Sequence, residues 1–176
     1  QQLVRAIDGS DIIPLPSKPD EPVTLTLDKE NIELLIATGF AEVWLAKEGH
    51  NGNIFINFLK KVELPLVYIM YGAMLANVDG VIIGAGNPDG LPAICSQLVN
   101  HEKVRIDIQV LYREPGEDFY VPFDPRQVAD GKFTIKPLRR PAILAIASLQ
   151  GLVQTLADSQ SEPPDGFIIE HHTAGG

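Results

Sequence analysis

The residues best suited to chemistry stand together at the end of the 176-residue chain. A short apolar run at 167–169 leads into Glu170, His171 and His172, and the motif Thr173-Ala174-Gly175-Gly176 follows. A buried parallel strand that opens into a loop of small residues has this pattern, and a ligand can approach the backbone of such a loop closely. The loop could present backbone N–H groups to a phosphate or a flavin ring, although a plain turn would have the same sequence.

The adjacent histidines make a poor metal site. In extended backbone the side chains of His171 and His172 point to opposite faces, so one ion would need further ligands from elsewhere in the chain. With Glu170 they could form part of a site. The simpler interpretation is that one histidine faces solvent while the other packs or forms a hydrogen bond, and we predict no metal site.

Two further polar positions could carry a function. Asn57 lies in an otherwise apolar strand at 54–58, and burying its amide without a partner would cost ~1–3 kcal/mol. Asn57 could therefore satisfy a neighbouring loop or point at a ligand. Glu48 and His50 could form an acid/base pair, or they could belong to a solvated loop.

One pattern occurs twice in the chain. Asp79-Gly80 and Asp165-Gly166 each begin a buried apolar strand, and each strand is preceded by a helical segment and followed by a Gly-bearing loop. Repeated units of this form predict parallel strands whose carboxyl ends meet at one edge, where α/β folds gather their chemistry. The loop at 84–86 (Gly-Ala-Gly) has part of a dinucleotide-binding fingerprint but lacks its third glycine, so a tight turn is the simpler interpretation.

The remaining elements complete an α/β prediction. Alternating apolar residues at 104–110 and a returning strand at 119–123 predict an antiparallel hairpin around 103–123, inserted on the edge of the barrel or sheet. The other predicted elements are a helix at 29–38 capped by Asp28 and ended by Gly39, strands at 42–46, 54–58 and 142–147, and helices at 71–78 and 149–157. Residues 1–27 are rich in proline and are predicted to be an extended segment.

Composition limits the classes of partner. The net charge of -9 argues against nucleic acid, and the small basic cluster of Lys136, Arg139 and Arg140 is predicted to be a solvated loop. Cys95 is the only cysteine, so no internal disulfide can form, and a small buried apolar role is predicted. The apolar run at 64–78 is too short and too interrupted to span a bilayer. We therefore expect no membrane partner and a cytoplasmic location.

Several motifs taken in order resemble those of the nitronate monooxygenase family, formerly called 2-nitropropane dioxygenases. They are 42–52 (Glu-Val-Trp-Leu-Ala-Lys-Glu-Gly-His-Asn-Gly), 56–61 (Ile-Asn-Phe-Leu-Lys-Lys), 71–80 (Tyr-Gly-Ala-Met-Leu-Ala-Asn-Val-Asp-Gly), 84–88 (Gly-Ala-Gly-Asn-Pro) and 173–176 (Thr-Ala-Gly-Gly). The resemblance covers most of 40–100 and 140–176. An ordered set of motifs is more specific than any one of them.

The resemblance implies an FMN-dependent TIM-type (β/α)8 barrel that oxidises alkyl nitronates with O2. Residues 28–176 would form an incomplete barrel domain, truncated at both ends. Asn57 would lie near the flavin at the end of the second barrel strand, and the loop with Gly175 and Gly176 would present the catalytic base. Gly84, Ser148 and Glu170 are also predicted to bind the cofactor. That base is a His expected directly after Gly176, so no catalytic residue is predicted within the chain.

Two alternative functions belong to other classes. The same flavin barrel could reduce an enoyl thioester with NAD(P)H, or the chain could be a non-catalytic barrel fragment that acts as a binding module. If the chain acts as a nitronate monooxygenase, its expected partners are O2 and a small nitronate or related acid. Because an incomplete parallel barrel leaves strand edges unpaired, a homo-oligomer could also form.

Overall fold

The chain alternates strands and helices through most of its described length. The computed structural model describes residues 3–5, 12–14, 23–113, 116–158, 161–171 and 173. In chain order the elements are β1 (Leu3–Arg5), β2 (Ile12–Pro14), β3 (Val23–Thr24), α1 (Lys29–Ala46), β4 (Phe55–Leu59), α2 (Glu63–Leu75), β5 (Gly80–Gly84), α3 (Leu91–Val99), β6 (Val104–Asp107), β7 (Phe119–Phe123), a 3-10 segment (Pro125–Gly131), β8 (Ala142–Ala147), α4 (Gln150–Ala157) and β9 (Gly166–Ile169). The predicted α/β class is confirmed.

Four of the strands form a parallel sheet. Its order is β4-β5-β8-β9, so these strands are arranged in space as they follow one another in the chain. Both β5 and β9 pair in parallel with β8, which confirms that 82–83 and 168–169 run in the same direction within one sheet. This topology suits a barrel segment and an open sheet equally well, so the closed barrel stays a prediction.

The two faces of this sheet differ in burial. On the packed face, Phe58, Val81, Ile83 and Ile143 join the hydrophobic core with residues of α2 and α3. The alternate positions form what we call the open face, in which β4 leaves Phe55, Asn57 and Leu59 exposed. The other open-face positions are Gly80, Ile82, Gly84, Ala142, Leu144, Ile146, Gly166 and Ile168.

Helix α1 overturns two predictions. It continues through Gly39 to Ala46, so the helix does not end at Gly39 and the strand predicted at 42–46 is wrong. Gly39 lies where α1 crosses α2: a Cβ there would stand 2.2 Å from the carbonyl oxygen of Ile69. A Cβ on Gly72 of α2 would likewise lie 2.0 Å from the carbonyl oxygen of Ile36. These glycines bring two backbones together, and close packing outweighs the low helix propensity of glycine.

The predicted hairpin forms, but in a separate sheet. Strands β6 and β7 pair antiparallel from Val104↔Phe123 to Asp107↔Tyr120, which confirms the pairing. Strand β7 also pairs in parallel with β3, giving a three-stranded sheet in the order β3-β7-β6. The prediction that the hairpin lies on the edge of the parallel sheet is therefore wrong. The alternation of apolar and polar residues predicts which side of the hairpin is buried, but it does not predict the strand with which the hairpin pairs.

The two Asp-Gly motifs occupy equivalent places at the amino-terminal edge of the parallel sheet. The Asp79 carboxylate accepts the backbone N–H of Ile54 at 2.8 Å, just before β4. The Asp165 carboxylate accepts the backbone N–H of Ile143 in β8 at 2.6 Å. Each aspartate thus binds the start of the strand that precedes its own strand in the sheet.

Arg139 and Arg140 complete this edge. Arg139 donates to Asp79 at 2.6 Å, and Arg140 donates to Asp165 at 2.7 Å and to Glu162 at 2.7 Å. The two arginines directly precede β8, and they reach the strands on either side of it. Both residues lie in the predicted loop: Arg139 remains exposed there while it pairs with Asp79, and Arg140 is half-buried in its ion pairs, so the prediction of a solvated loop is wrong for Arg140 alone.

These contacts change the pKa values of both aspartates. The pKa of Asp79 lies far below its usual range because the Ile54 N–H, the Lys47 ammonium and the Arg139 guanidinium all bind the carboxylate. Burial opposes the charged form of Asp165, but the hydrogen bonds from Arg140 and Ile143 outweigh it and lower the pKa of that carboxyl as well. Both groups therefore favour the folded state as carboxylates.

We predict that Gly39→Ala and Gly72→Ala each lower the free energy of unfolding by about 1–3 kcal/mol, because the added methyl forces two backbones apart. Chemical denaturation followed by circular dichroism measures this change. The matched control is Gly151→Ala in α4, where a Cβ meets nothing within 4 Å. That change should stabilise by about 0.4–1 kcal/mol. Equal effects at Gly39 and Gly151 would contradict the close crossing.

We also predict that Asp79→Asn destabilises the protein by about 1–3 kcal/mol at neutral pH, since a charged acceptor of three donors is lost. A carboxyl whose pKa is lower in the folded state stabilises above the unfolded value of about 3.9 and loses that contribution as the pH falls. The difference between the variant and the parent should therefore shrink below about pH 4. Asp107→Asn, in the exposed pair with Arg105, is the control and should change stability by less than about 0.5 kcal/mol.

Candidate functional site

The carboxyl ends of the four parallel strands lie along one edge of the sheet. The turn after β4 packs on the loop after β5, because the backbone N–H of Lys60 donates to the Gly84 carbonyl at 2.8 Å and that of Lys61 to the Ala85 carbonyl at 3.2 Å. At the other side, the N–H of Glu170 donates to the Ala147 carbonyl at 3.0 Å, which extends the pairing of β8 and β9 by one residue. The loops that follow β4 and β5 are thus held side by side, and β8 and β9 remain paired to their ends.

Four of the six predicted cofactor-binding residues lie in this sheet or directly after one of its strands. Asn57 and Gly84 belong to the open face of β4 and β5. Ser148 and Glu170 directly follow β8 and β9, at the next positions of the same alternation. Asn57 and Gly84 therefore stand on one surface and Ser148 and Glu170 at its carboxyl edge, along which the four strands together span about 14 Å at the usual strand spacing.

The four residues differ in exposure. Asn57 is exposed at the third of the five residues of β4, so the prediction that it lies at the end of this strand is wrong. Gly84 is buried, Ser148 is exposed and Glu170 is half-buried. Gly175 and Gly176 lie outside the described residues.

Three glycines of the open face lie beneath bulky side chains of the neighbouring strands. A Cβ on Gly80 would lie 2.1 Å from the ring of Phe55, and one on Gly84 would lie 2.9 Å from Ile146 Cδ1. A Cβ on Gly166 would lie 3.1 Å from a methyl of Leu144. Side chains of one strand therefore lean over glycines of the next, and the result is a shallow apolar surface with Asn57 as its amide.

Comparison of the chain with models of protein families, with curated proteins and with solved structures found no match. The family resemblance therefore rests on the sequence motifs alone.

The loop after α1 uses its histidine for structure. His50 Nε2 lies 2.7 Å from the Ala46 carbonyl oxygen, and the Gly52 N–H donates to His50 Nδ1 at 2.9 Å. Since Nδ1 accepts, Nε2 carries the proton and donates to Ala46. Both ring nitrogens close the loop, so the geometry favours the structural reading over an acid/base pair with Glu48.

At the end of β9, His171 is also engaged locally. Its Nδ1 lies 2.8 Å from Thr173 Oγ1 and accepts the Thr173 N–H at 3.3 Å. No cluster of three or more potential metal ligands occurs among the described residues. Within the same part of the chain, no helix is both long and apolar enough to cross a membrane.

A cavity of about 750 Å³ adjoins this edge between the loop after β5 and the chain after β6. Its basic side chains include Lys60, which forms a mostly buried ion pair with Glu63. Arg105 also lines it and pairs with Asp107 and Asp118. These two charges are neutralised within the protein, whereas Arg113, which also lines the cavity, forms no ion pair with the described residues.

Lys61 and His101 also lie near these elements, and the sequence predicts no functional role for either. Lys61 is exposed directly after β4 and forms no ion pair with the described residues, so its charge is available at the carboxyl edge. His101 is buried and joins Tyr71 to the backbone: Nδ1 lies 2.9 Å from Tyr71 Oη, and Nε2 lies 2.7 Å from the Lys136 carbonyl oxygen. Of these two residues, only Lys61 belongs to a recognisable sequence pattern, the lysine pair at 60–61. Cys95 is buried as predicted, and burial raises the pKa of its thiol to about 12.

Proposed function

We propose that the chain belongs to an FMN-dependent oxidoreductase that oxidises alkyl nitronates with O2. The observation that carries this proposal is that Asn57 and Gly84 lie on one face of the parallel sheet, while Ser148 and Glu170 follow β8 and β9 at its carboxyl edge. The resemblance implies that Asn57 lies near the flavin, and Gly84, Ser148 and Glu170 are also predicted to bind the cofactor. Residues scattered over different faces would have argued against it.

The open face suits a flat aromatic ligand. Exposed Phe55 and Leu59, together with Ile82 and Leu144, offer apolar contact to a ring system, and the side chains that cover the glycines keep this surface shallow. Asn57 stands among them as an amide that can donate and accept hydrogen bonds. These residues fit a flavin ring, and bound FMN would supply the transfer of an electron pair from substrate to O2.

One exposed cation near the carboxyl end of β4 suits an anionic substrate. Lys61 adds a positive charge beside the carboxyl end of β4, and Coulomb attraction to a nitronate is largest where no carboxylate neutralises the lysine. Ser148 is exposed at the end of β8 and can donate a hydrogen bond to substrate or cofactor.

We predict that the protein, produced as its gene encodes it, retains FMN and that Asn57→Val weakens FMN binding about tenfold, the effect of roughly one hydrogen bond. Flavin fluorescence titration measures the dissociation constant. The same variant should melt at an equal or higher temperature, because valine is the better strand residue and Asn57 is exposed. Loss of FMN with unchanged or raised stability would separate a ligand role from a structural one.

The control for this variant is Asn53→Val, an exposed asparagine in the loop before β4, which should leave FMN affinity unchanged. Oxygen uptake with an alkyl nitronate is then compared with NAD(P)H oxidation in the presence of an enoyl thioester. Uptake with the nitronate supports the proposal, and turnover of the thioester alone would replace it with the reductase. Absence of bound flavin would reject both.

A further inference from the structure

Helix α1 has a second apolar face that nothing in the described structure covers. Its packed side buries Ile36, Gly39 and Val43 against the rest of the protein. On the other side, Leu34 is 63% exposed and Leu45 is 64% exposed. Polar residues usually occupy the solvent side of such a helix, so this surface resembles the contact side of a helix pair.

The exposed residues follow the spacing of a helix-packing seam. Leu34, Thr38, Ala41 and Leu45 are separated by four, three and four residues, and this spacing places them along one narrow stripe of the helix. The stripe reads large, small, small, large. Its order of sizes is the same in both directions, as an antiparallel pairing of the helix with itself requires.

We propose that α1 packs antiparallel against α1 of a second copy of this chain. Under two-fold symmetry, Leu34 of each copy faces Leu45 of the other, and Thr38 faces Ala41. The small residues at the centre allow the two helices to approach closely. Trp44, which is 56% exposed and stacks on Phe40 with ring centroids 5.6 Å apart, flanks the seam and adds apolar area.

Charge selects the antiparallel direction. In this register Glu30 faces Gly49 of the second copy, Glu33 faces Ala46 and Glu42 faces Ala37. A parallel pairing in register would instead place each of these glutamates opposite its own copy, which is unfavourable. The antiparallel register therefore keeps each of these three glutamates away from its own copy, while Glu48 of one copy faces Asn31 of the other, next to Glu30.

The area available is near the lower limit for a specific dimer. Leu34, Leu45, Trp44 and Phe40 together expose roughly 450 Å² per copy, given the usual size of such side chains. If all of these side chains and the small residues between them were fully covered, the pair would bury at most about 1,200 Å² in total, the low end of specific interfaces. A reversible dimer is expected, and it should tighten with salt because screening reduces the repulsion between two acidic chains.

Sedimentation equilibrium of the protein across a concentration series tests this. We expect a monomer–dimer equilibrium, and Leu34→Glu should weaken association about tenfold or more, because it places a carboxylate in an apolar seam on both sides of the symmetry axis. The control is Leu111→Glu, a residue that is 83% exposed in a loop outside α1, and it should leave association unchanged. Both positions are exposed, so neither variant should disturb the fold.

Charge complementation then tests the register. A mixture of Leu34→Glu and Leu45→Lys chains should regain a dimer, because one glutamate would face one lysine and the remaining leucines would face each other. A mixture of Leu34→Glu and Leu45→Glu should not. A monomer at every concentration and salt level would overturn the proposal. So would a dimer that Leu34→Glu leaves intact, since association would then use another surface such as a strand edge.

Discussion

The parallel sheet depends on a set of ion pairs at its amino-terminal edge. Arg139 and Arg140 stand side by side before β8 and bind aspartates of the strands on its two flanks. Each aspartate also accepts the backbone N–H at the start of the adjacent strand. Charged donors and carboxylates with low pKa values thus fix the order and register of β4, β5, β8 and β9 at one edge, which leaves the opposite edge available for loops.

The glycine that follows each of these aspartates acts on the same sheet in a different way. Gly80 and Gly166 are the first residues of β5 and β9, and a side chain at either would collide with Phe55 or Leu144 of the neighbouring strand. The repeated dipeptide therefore joins two constraints: the carboxylate fixes the strand start, and the missing Cβ lets an adjacent side chain lie flat. An apolar surface with little relief results on the open face.

Sequence patterns predicted the parallel strands well because apolar runs between turn residues are local signals. The strand at 142–147 and the helix after it appear where predicted, and the Asp-Gly repeat located β5 and β9. Predictions failed where contact between distant segments decides the outcome. Glycine often ends a helix, but α1 continues through Gly39, because the carbonyl of Ile69 in α2 occupies the place that a side chain would take. Helix α3 was missed altogether, since Gly90 and Pro92 at its start look like loop residues.

For the candidate site, sequence alone named the residues but not their common surface. The pairing of Asn57 with Ile82 and of Ile82 with Leu144 depends on strand register, which apolar runs do not encode. Lys61 could not be separated from Lys60, because only the structure gives one lysine a carboxylate partner and leaves the other exposed. The family resemblance implies FMN as the cofactor, and the strand register defines the open face on which FMN is proposed to bind.

The order of the strands has a consequence for how the chain acquires its shape during synthesis. Because each strand of the parallel sheet pairs with the strand made before it, the sheet can grow from one side as the ribosome releases the chain. Growth must wait between β5 and β8, while the β6–β7 hairpin emerges and folds on a separate sheet. During that wait β5 presents an unpaired edge, so this interval is when the nascent protein is most exposed to wrong strand partners and to chaperones.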